Sequence, residues 1–237
     1  MTAPHFFAER VDSDHISITG DDARHAVRAL RIRPREEITV SDGRGTVVRA
    51  RCAEVSPSHL RVDVIARDHI QKPDPLVIVF PAVPKGGKLE TIVQKLTEIG
   101  VDEIHPWFSA RSVVHWDAAK AAARTQRIRA VAREAAMQSR RVWLPSVSEP
   151  GPIGDLPELT LVLHEEAREG LIAAMPSVAP RSVGLVIGPE GGLDSDEVER
   201  LVEAGAHPVS LGGSILRTDT AAIVGPTLVL ARYNRLG

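Results

Sequence analysis

Short segments that mix apolar and polar residues fill the first third of the chain. His15–Thr19, Glu37–Ser41, Thr46–Val55 and Leu60–Ala66 read as strands, with turns at Asp42-Gly43-Arg44-Gly45 and Ser56-Pro57-Ser58 between them. One helix, near Asp21–Leu30, interrupts them, so a small β-rich module is expected. Lys72-Pro73-Asp74-Pro75 then makes a stiff junction, because two prolines one residue apart disfavour helix and cannot serve a central strand. A domain boundary is expected there, dividing the chain into 1–72 and 73–237.

Beyond the junction the period changes. Leu76–Phe80 is a continuous apolar run, as a strand buried on both faces requires. Glu90–Ile99 sets Ile92, Val93, Leu96 and Ile99 on one helical stripe, closed by Gly100. Further strands are expected at Glu103–Trp107, Leu159–His164, Val183–Gly188 and His207–Leu211. Helices fit at Asp117–Ser139, Glu166–Ala174, Ser195–Ala204 and Thr218–Arg232, with Pro226 implying a kink or late turn in the last. Strand and helix alternate, which predicts an α/β domain with a largely parallel sheet.

Composition narrows the class without naming a function. Of 237 residues, 43% are hydrophobic and 25% charged, which excludes wholesale disorder. The single Cys52 excludes an internal disulfide framework and a cysteine-based zinc site. No apolar run approaches the ~20 residues of a membrane span, and Met1–Arg10 has no leader core, so a cytoplasmic protein is expected. The net charge of −2 argues for no partner by itself. Its distribution is uneven: Arg111 to Arg141 holds eight Lys/Arg and only Asp117 and Glu134 as acids. Such a stretch is either a phosphate-facing surface or a solvated helix face.

The candidate chemistry sits in two glycine-rich loops. The chain has no P-loop, no dinucleotide fingerprint and no serine-hydrolase elbow, and its nine histidines lack metal-ligand spacing, so no metal is expected. Val186-Ile187-Gly188-Pro189-Glu190-Gly191-Gly192-Leu193 runs from a buried strand into a helix that begins Asp194-Ser195-Asp196-Glu197. Ligands bind at that end of a parallel sheet, although a plain glycine turn fits the loop equally well. Asp194 and Glu197 form a capping-box pair, and three carboxylates in the first turn would repel a phosphate. The loop therefore suits a neutral or cationic nucleoside better than NAD or ATP, and S-adenosylmethionine has that chemistry. Leu211-Gly212-Gly213-Ser214-Ile215-Leu216-Arg217-Thr218-Asp219-Thr220-Ala221 follows the last strand, with Thr218 as the expected N-cap of the final helix. Alone, that loop reads equally as a docking segment.

Together the loops carry a resemblance. The chain resembles, over essentially its whole length, the bacterial RsmE family of knotted (SPOUT) methyltransferases. Gly188–Gly192 is similar to that family's cofactor loop, and Ile215–Ala221 to its second, with Asp219 where Glu is usual. Lys85-Gly86, Lys88, Glu90, Lys95, Thr97, Glu98, Gly100 and Val101 are similar to its first-helix signature. Arg111-Ser112 and Gln138 to Arg141 match its middle, and His25, Leu30, Arg31 and the Asp42-Gly43 turn its N-terminal module. Met137, Gly87 and Ser214 depart from the family pattern, which usually places an acid, an Asp and an Arg there.

The resemblance implies an α/β fold class, with a C-terminal trefoil-knotted methyltransferase domain and a small N-terminal PUA-like RNA-binding β-barrel. It implies S-adenosylmethionine held by Leu163, Ile187, Gly188, Pro189, Glu190, Gly191, Gly192, Leu211, Gly212, Ile215, Leu216, Thr218, Thr220 and Ala221. It also implies RNA contacts at His25, Arg28, Arg31, Arg111, Lys120, Arg124, Arg127, Arg140 and Arg141, of which Lys120, Arg124 and Arg127 share one helical face. The implied partners are 16S ribosomal RNA in the 30S subunit and a second copy of the chain. The implied reaction methylates N3 of a uridine, which becomes nucleophilic only after losing its proton. Arg217, as the lone cation between the two loops, is the expected catalytic group, stabilising charge on the base; a structural ion pair with Glu190 or Asp219 is its alternative role. The general base stays open between Asp219 and Glu190. Other functions compatible with the loops are a knotted enzyme acting on ribose 2′-hydroxyls or transfer RNA, and a non-catalytic RNA-binding ribosome factor. The missing fingerprint disfavours a nucleotide oxidoreductase.

Overall fold

Strand pairing organises the N-terminal part of the chain. The computed structural model describes residues 3–112, 114 and 116–236. Strands β1 (His5–Phe7), β2 (His15–Thr19), β3 (Glu37–Ser41), β4 (Thr46–Ser56) and β5 (His59–His69) form one sheet in the order β1-β3-β4-β5-β2. Only β1 and β3 run parallel; the other pairs are antiparallel. The β4–β5 register shifts between Arg49 and Ala50 and again between Cys52 and Glu54, irregularities that bend long strands and curl this sheet into a half-barrel. Helix α1 (Gly20–Arg28) lays Ala23 and Ala26 on a core of Phe6, Ile16, Ile18, Ile38, Val40 and Leu60.

This unit takes the residues up to Lys72 together with Ala136–Leu144, a segment that the division at 1–72 assigned to the second domain. Tertiary bonds explain the return. Ser41 Oγ donates to the Val142 carbonyl (2.8 Å), the Leu144 N–H to the Gly43 carbonyl (3.0 Å) and Trp143 Nε1 to the Ile70 carbonyl (2.9 Å). Gly45, at φ 103°, is required here: a Cβ would sit 2.6 Å from the Trp143 ring.

The second unit comprises Pro73–Ala135 and the chain from Pro145 onward. Strands β6 (Leu76–Pro81), β7 (Glu103–Ile104), β8 (Ser146–Val147), β9 (Leu159–Leu163), β10 (Ser182–Ile187) and β11 (His207–Val209) pair in parallel throughout, in the order β11-β9-β10-β6-β7-β8. Helices α2 (Lys88–Ile99) and α6 (Thr218–Arg232) pack on one face, over Val77, Val79, Leu161 and Leu185. Helix α5 (Ser195–Glu203) covers the other, where Phe80, Val162 and Val186 point. Helix α3 (Ala118–Gln138) contributes Ile128 and Ala132 to the first face, and its last residues belong to the first unit. The helix expected over Glu166–Ala174 shrinks to α4 (Leu171–Ala174), because Ser210 N–H bonds the Glu169 carbonyl and pulls that stretch into extended pairing. The expected strand Glu103–Trp107 ends at Ile104, leaving Trp107 in a single bridge to Ala82. Helix α6 continues across Pro226. Among the described residues, no helix is long and apolar enough to cross a membrane.

Candidate functional site

A parallel sheet delivers every strand's carboxyl end to one edge, so the loops after β6, β9, β10 and β11 gather there. Strand β10 enters Gly188, where a Cβ would lie 3.0 Å from the Leu193 side chain. The loop turns on Gly192 (φ 72°), whose N–H bonds the Pro189 carbonyl at 3.0 Å. The capping box exists as the sequence predicts: Asp194 Oδ1 accepts the Asp196 N–H (3.1 Å) and Glu197 Oε2 accepts the Asp194 N–H (3.0 Å). Glu197, 6% exposed, also accepts Ser109 Oγ (2.9 Å) and the Ala110 N–H (2.7 Å), locking α5 to the strand-β7 side of the edge. Arg111, one of the expected RNA-contact residues, donates to the Gly191 carbonyl at 3.0 Å and stands 3.6 Å from Asp194.

The neighbouring loops enclose a cavity of about 160 Å³ between the end of β9 and the β11–α6 connection. Of the expected cofactor residues, Leu163, Leu211, Gly212, Ile215, Leu216 and Ala221 line it. Ile187 is buried within β10, and Gly188–Gly192, Thr218 and Thr220 stand outside this wall; the Gly188 loop rises from the adjacent strand. Gly213 and Ser214 of the second candidate loop complete the lining with His164, Glu165 and Ser210, which were not among the expected cofactor residues. Their signal was positional, since they follow the carboxyl ends of β9 and β11. Among the described residues no Lys or Arg lines the wall, which offers leucine and isoleucine faces, the His164 imidazole, the Glu165 carboxylate and open backbone at Gly212 and Gly213. That donor set suits a cationic nucleoside and not a phosphate. S-adenosylmethionine has the chemistry this wall would accept: apolar side chains at Leu163, Leu211 and Ile215, and a carboxylate at Glu165 for a positive charge.

Arg217, and not Thr218, is the residue at the N-cap of α6: its carbonyl accepts the Ala221 N–H at 2.8 Å, while Thr218 is the first, buried, helical residue. The Arg217 side chain is exposed and, among the described residues, makes no ion pair. Its expected uniqueness as a cation between the loops needs correction. Lys88, at the start of α2, reaches both, standing 3.7 Å from Glu190 and 3.9 Å from Asp219. The ion pair offered as an alternative role for Arg217 is thus taken by Lys88. Asp219 Oδ1 is buried without a hydrogen-bond partner among the described residues.

The expected RNA residues divide between the two units. His25 and Arg28 stand on α1, and Arg31, Arg140 and Arg141 follow in the first unit, with Arg31 and Arg140 at φ 55° and 57°. Lys120, Arg124 and Arg127 share α3, but Glu90 holds Arg124 at 3.1 Å and Arg127 at 3.2 Å, so Lys120 is the exposed cation of the three without an ion pair. Among the described residues no group of three His, Cys, Asp or Glu is arranged to hold a metal. Cys52 is buried, and burial pushes its thiol up to about 11, away from reactivity.

Comparison with known proteins decides the family. A family model described as an RNA methyltransferase domain matches residues 71–229, and one described as an RNA methyltransferase PUA domain matches 18–65. The ribosomal RNA small subunit methyltransferase E of Mycobacterium bovis is 37% identical over 94% of this chain and 90% of its own length. The chain belongs to the ribosomal RNA small subunit methyltransferase E family. Crystallised relatives share its fold end to end. The methyltransferase E of Neisseria gonorrhoeae, bound to S-adenosylmethionine, superposes with a TM-score of 0.85 at 25% identity, covering 98% of each chain. A Legionella pneumophila methyltransferase in complex with the same cofactor gives 0.86 at 26%, again over 98% of each. The RNA methyltransferase model falls mainly on the parallel unit and the PUA model on the half-barrel.

Proposed function

We propose that this enzyme transfers a methyl group from S-adenosylmethionine to N3 of one uridine in 16S ribosomal RNA, as a homodimer acting on the 30S subunit in the cytoplasm. The observation that carries the reading is a cavity at the carboxyl edge whose wall, among the described residues, holds no Lys or Arg, with beside it an exposed Arg217 that makes no ion pair among them. When bound, the cofactor supplies an electrophilic methyl on a sulfonium. The chain's own residues do the rest. Leu163, Leu211, Gly212, Ile215, Leu216 and Ala221 bind and orient it, and the Gly188–Gly192 loop closes the neighbouring side. Glu190 and Asp219 are the carboxylates at hand to take the N3 proton, and Asp219 offers a buried oxygen with no other partner among the described residues. Arg217 then stabilises the anion on the base carbonyls. Lys88 holds both carboxylates in register. Ile215, at 84% exposed on the cavity loop, supports coverage of this edge by a second copy.

The test is transfer of radiolabelled methyl from S-adenosylmethionine to purified 30S subunits, 50S subunits and transfer RNA in parallel. Label confined to 30S subunits is the expected result. Label on transfer RNA, or on nothing, overturns the reading in favour of another knotted methyltransferase or a non-catalytic ribosome factor.

A further inference from the structure

A second, larger cavity lies in the same unit and shares no residue with the first. It encloses about 350 Å³ between the start of α2 and the middle of α3. Leu89 and Ile128, both nearly fully buried, line its apolar part together with the indole of Trp116. That indole is set edge-on against Phe108, with ring centroids 5.8 Å apart and planes at 89°, so its plane is fixed by packing. Charge stands among the same lining. Lys120 and Arg124 line the cavity with Glu90, whose single carboxylate holds Arg124 and Arg127, leaving the group net positive. An aromatic wall joined to surplus cations fits a planar ring that carries a phosphate.

Position supplies the second argument. Gly87 and Leu89 line the cavity, while Lys88 between them extends to Glu190 and Asp219 in the methyl-transfer loops. The cavity therefore opens beside the loops that carry Glu190 and Asp219 and shares no lining residue with the cofactor cavity. An enzyme that modifies a base edge must first unstack the strand around it. Building on the RNA methyltransferase reading above, we infer that this cavity takes an unstacked nucleotide of the RNA substrate next to the methylated one. Its base lies against Trp116 and its phosphate meets Lys120 and Arg124.

The test uses the full-length protein carrying 5-fluorotryptophan. The chain has three tryptophans, so the Trp116→Phe variant assigns the Trp116 fluorine resonance. Uridine 5′-monophosphate should move that resonance saturably, uridine less, and inorganic phosphate not at all. Lys120→Ala, an exposed change that spares the core, should weaken the nucleotide's effect several-fold. Kinetics with 30S subunits should show the Michaelis constant for RNA raised about tenfold in Trp116→Ala and largely restored in Trp116→Phe, with cofactor affinity unchanged. A Trp116 resonance indifferent to the nucleotide, moved equally by inorganic phosphate, or moved only by protein concentration as in a contact between copies, overturns the inference. So does normal RNA kinetics in both Lys120→Ala and Trp116→Ala. If the wild-type protein methylates no RNA while the nucleotide still moves Trp116, the functional reading has failed and the nucleotide pocket has not.

Discussion

Arg217→Ala separates catalysis from folding more cleanly than any other change at this edge. The side chain is exposed, makes no ion pair among the described residues, and contributes no capping bond; the helix start uses its backbone carbonyl, which alanine keeps. A surface substitution away from such contacts changes stability by about 0.5 kcal/mol or less. Cofactor affinity should also hold, because Arg217 is absent from the cavity wall. Loss of one electrostatic donor to a developing anion costs about 10²–10³ in turnover, or roughly 3–4 kcal/mol of transition-state stabilisation. Arg217→Lys keeps the charge but not the planar fork, and should fall between alanine and wild type. The assay is single-turnover methylation of 30S subunits at saturating cofactor, with calorimetric cofactor affinity and thermal melting measured on the same preparations. Turnover within about threefold of wild type in Arg217→Ala would refute the electrostatic role. Lost cofactor binding or lost folding would make Arg217 a structural residue instead.

Four further outcomes follow from particular contacts. In Gly225→Ala the new Cβ lies 3.0 Å from Leu163 and 3.2 Å from Leu185, and the Pro226 ring that follows removes the helical gain alanine ordinarily brings; stability should fall by about 1–3 kcal/mol in denaturant titration, while Leu163, pushed at the cavity wall, lowers cofactor affinity several-fold by calorimetry. Asp102→Asn should destabilise the second unit by about 3–5 kcal/mol in denaturant titration, because Arg235, 6% exposed in its side chain, bonds Asp102 at 2.6 Å and would be left buried without its counter-charge. Burial holds His5 at about 4, below its ordinary 6.5, so the stability it confers is complete above pH 6.5 and lost as pH falls toward 4; this is worth up to about 3 kcal/mol, and His5→Asn should flatten that part of the pH–stability curve. Replacing Lys120, Arg124 and Arg127 together with Ala should lower the salt slope of RNA binding by about two contacts, ~1.4–1.8 in log units and not three, because the single Glu90 carboxylate already neutralises one of the three charges.

Periodicity located most of the elements, and where it failed the cause was tertiary. Strands β2 and β3 and helix α6 begin and end where the pattern places them, and β2 alternates strictly between buried and exposed positions. Strand β8 has two residues and β1 three, too few to show a period. The return of Ala136–Leu144 to the first unit rests on bonds made by Ser41, Gly43 and Ile70, which no local pattern announces. Both glycine loops were legible because backbone geometry at Gly192 and Gly212 demands glycine. The cavity wall was half legible: Leu163 and Ile215 follow from the loops, but His164 and Glu165 enter only because β9 and β11 are neighbours in the sheet. Lys88 escaped for the same reason, being brought to Glu190 and Asp219 by the packing of α2 against α6 and the sheet.

The central claim concerns which atom receives the methyl group, and nucleoside mass spectrometry reads that directly. The 30S subunits from a strain lacking this protein, incubated with purified enzyme and S-adenosylmethionine, would be digested to nucleosides and to mapped oligonucleotides. The account predicts new 3-methyluridine at a single position in 16S RNA, absent from reactions with Arg217→Ala on the same timescale. A ribose 2′-O-methylated nucleoside, or 30S subunits unchanged while the protein binds the cofactor, would contradict it.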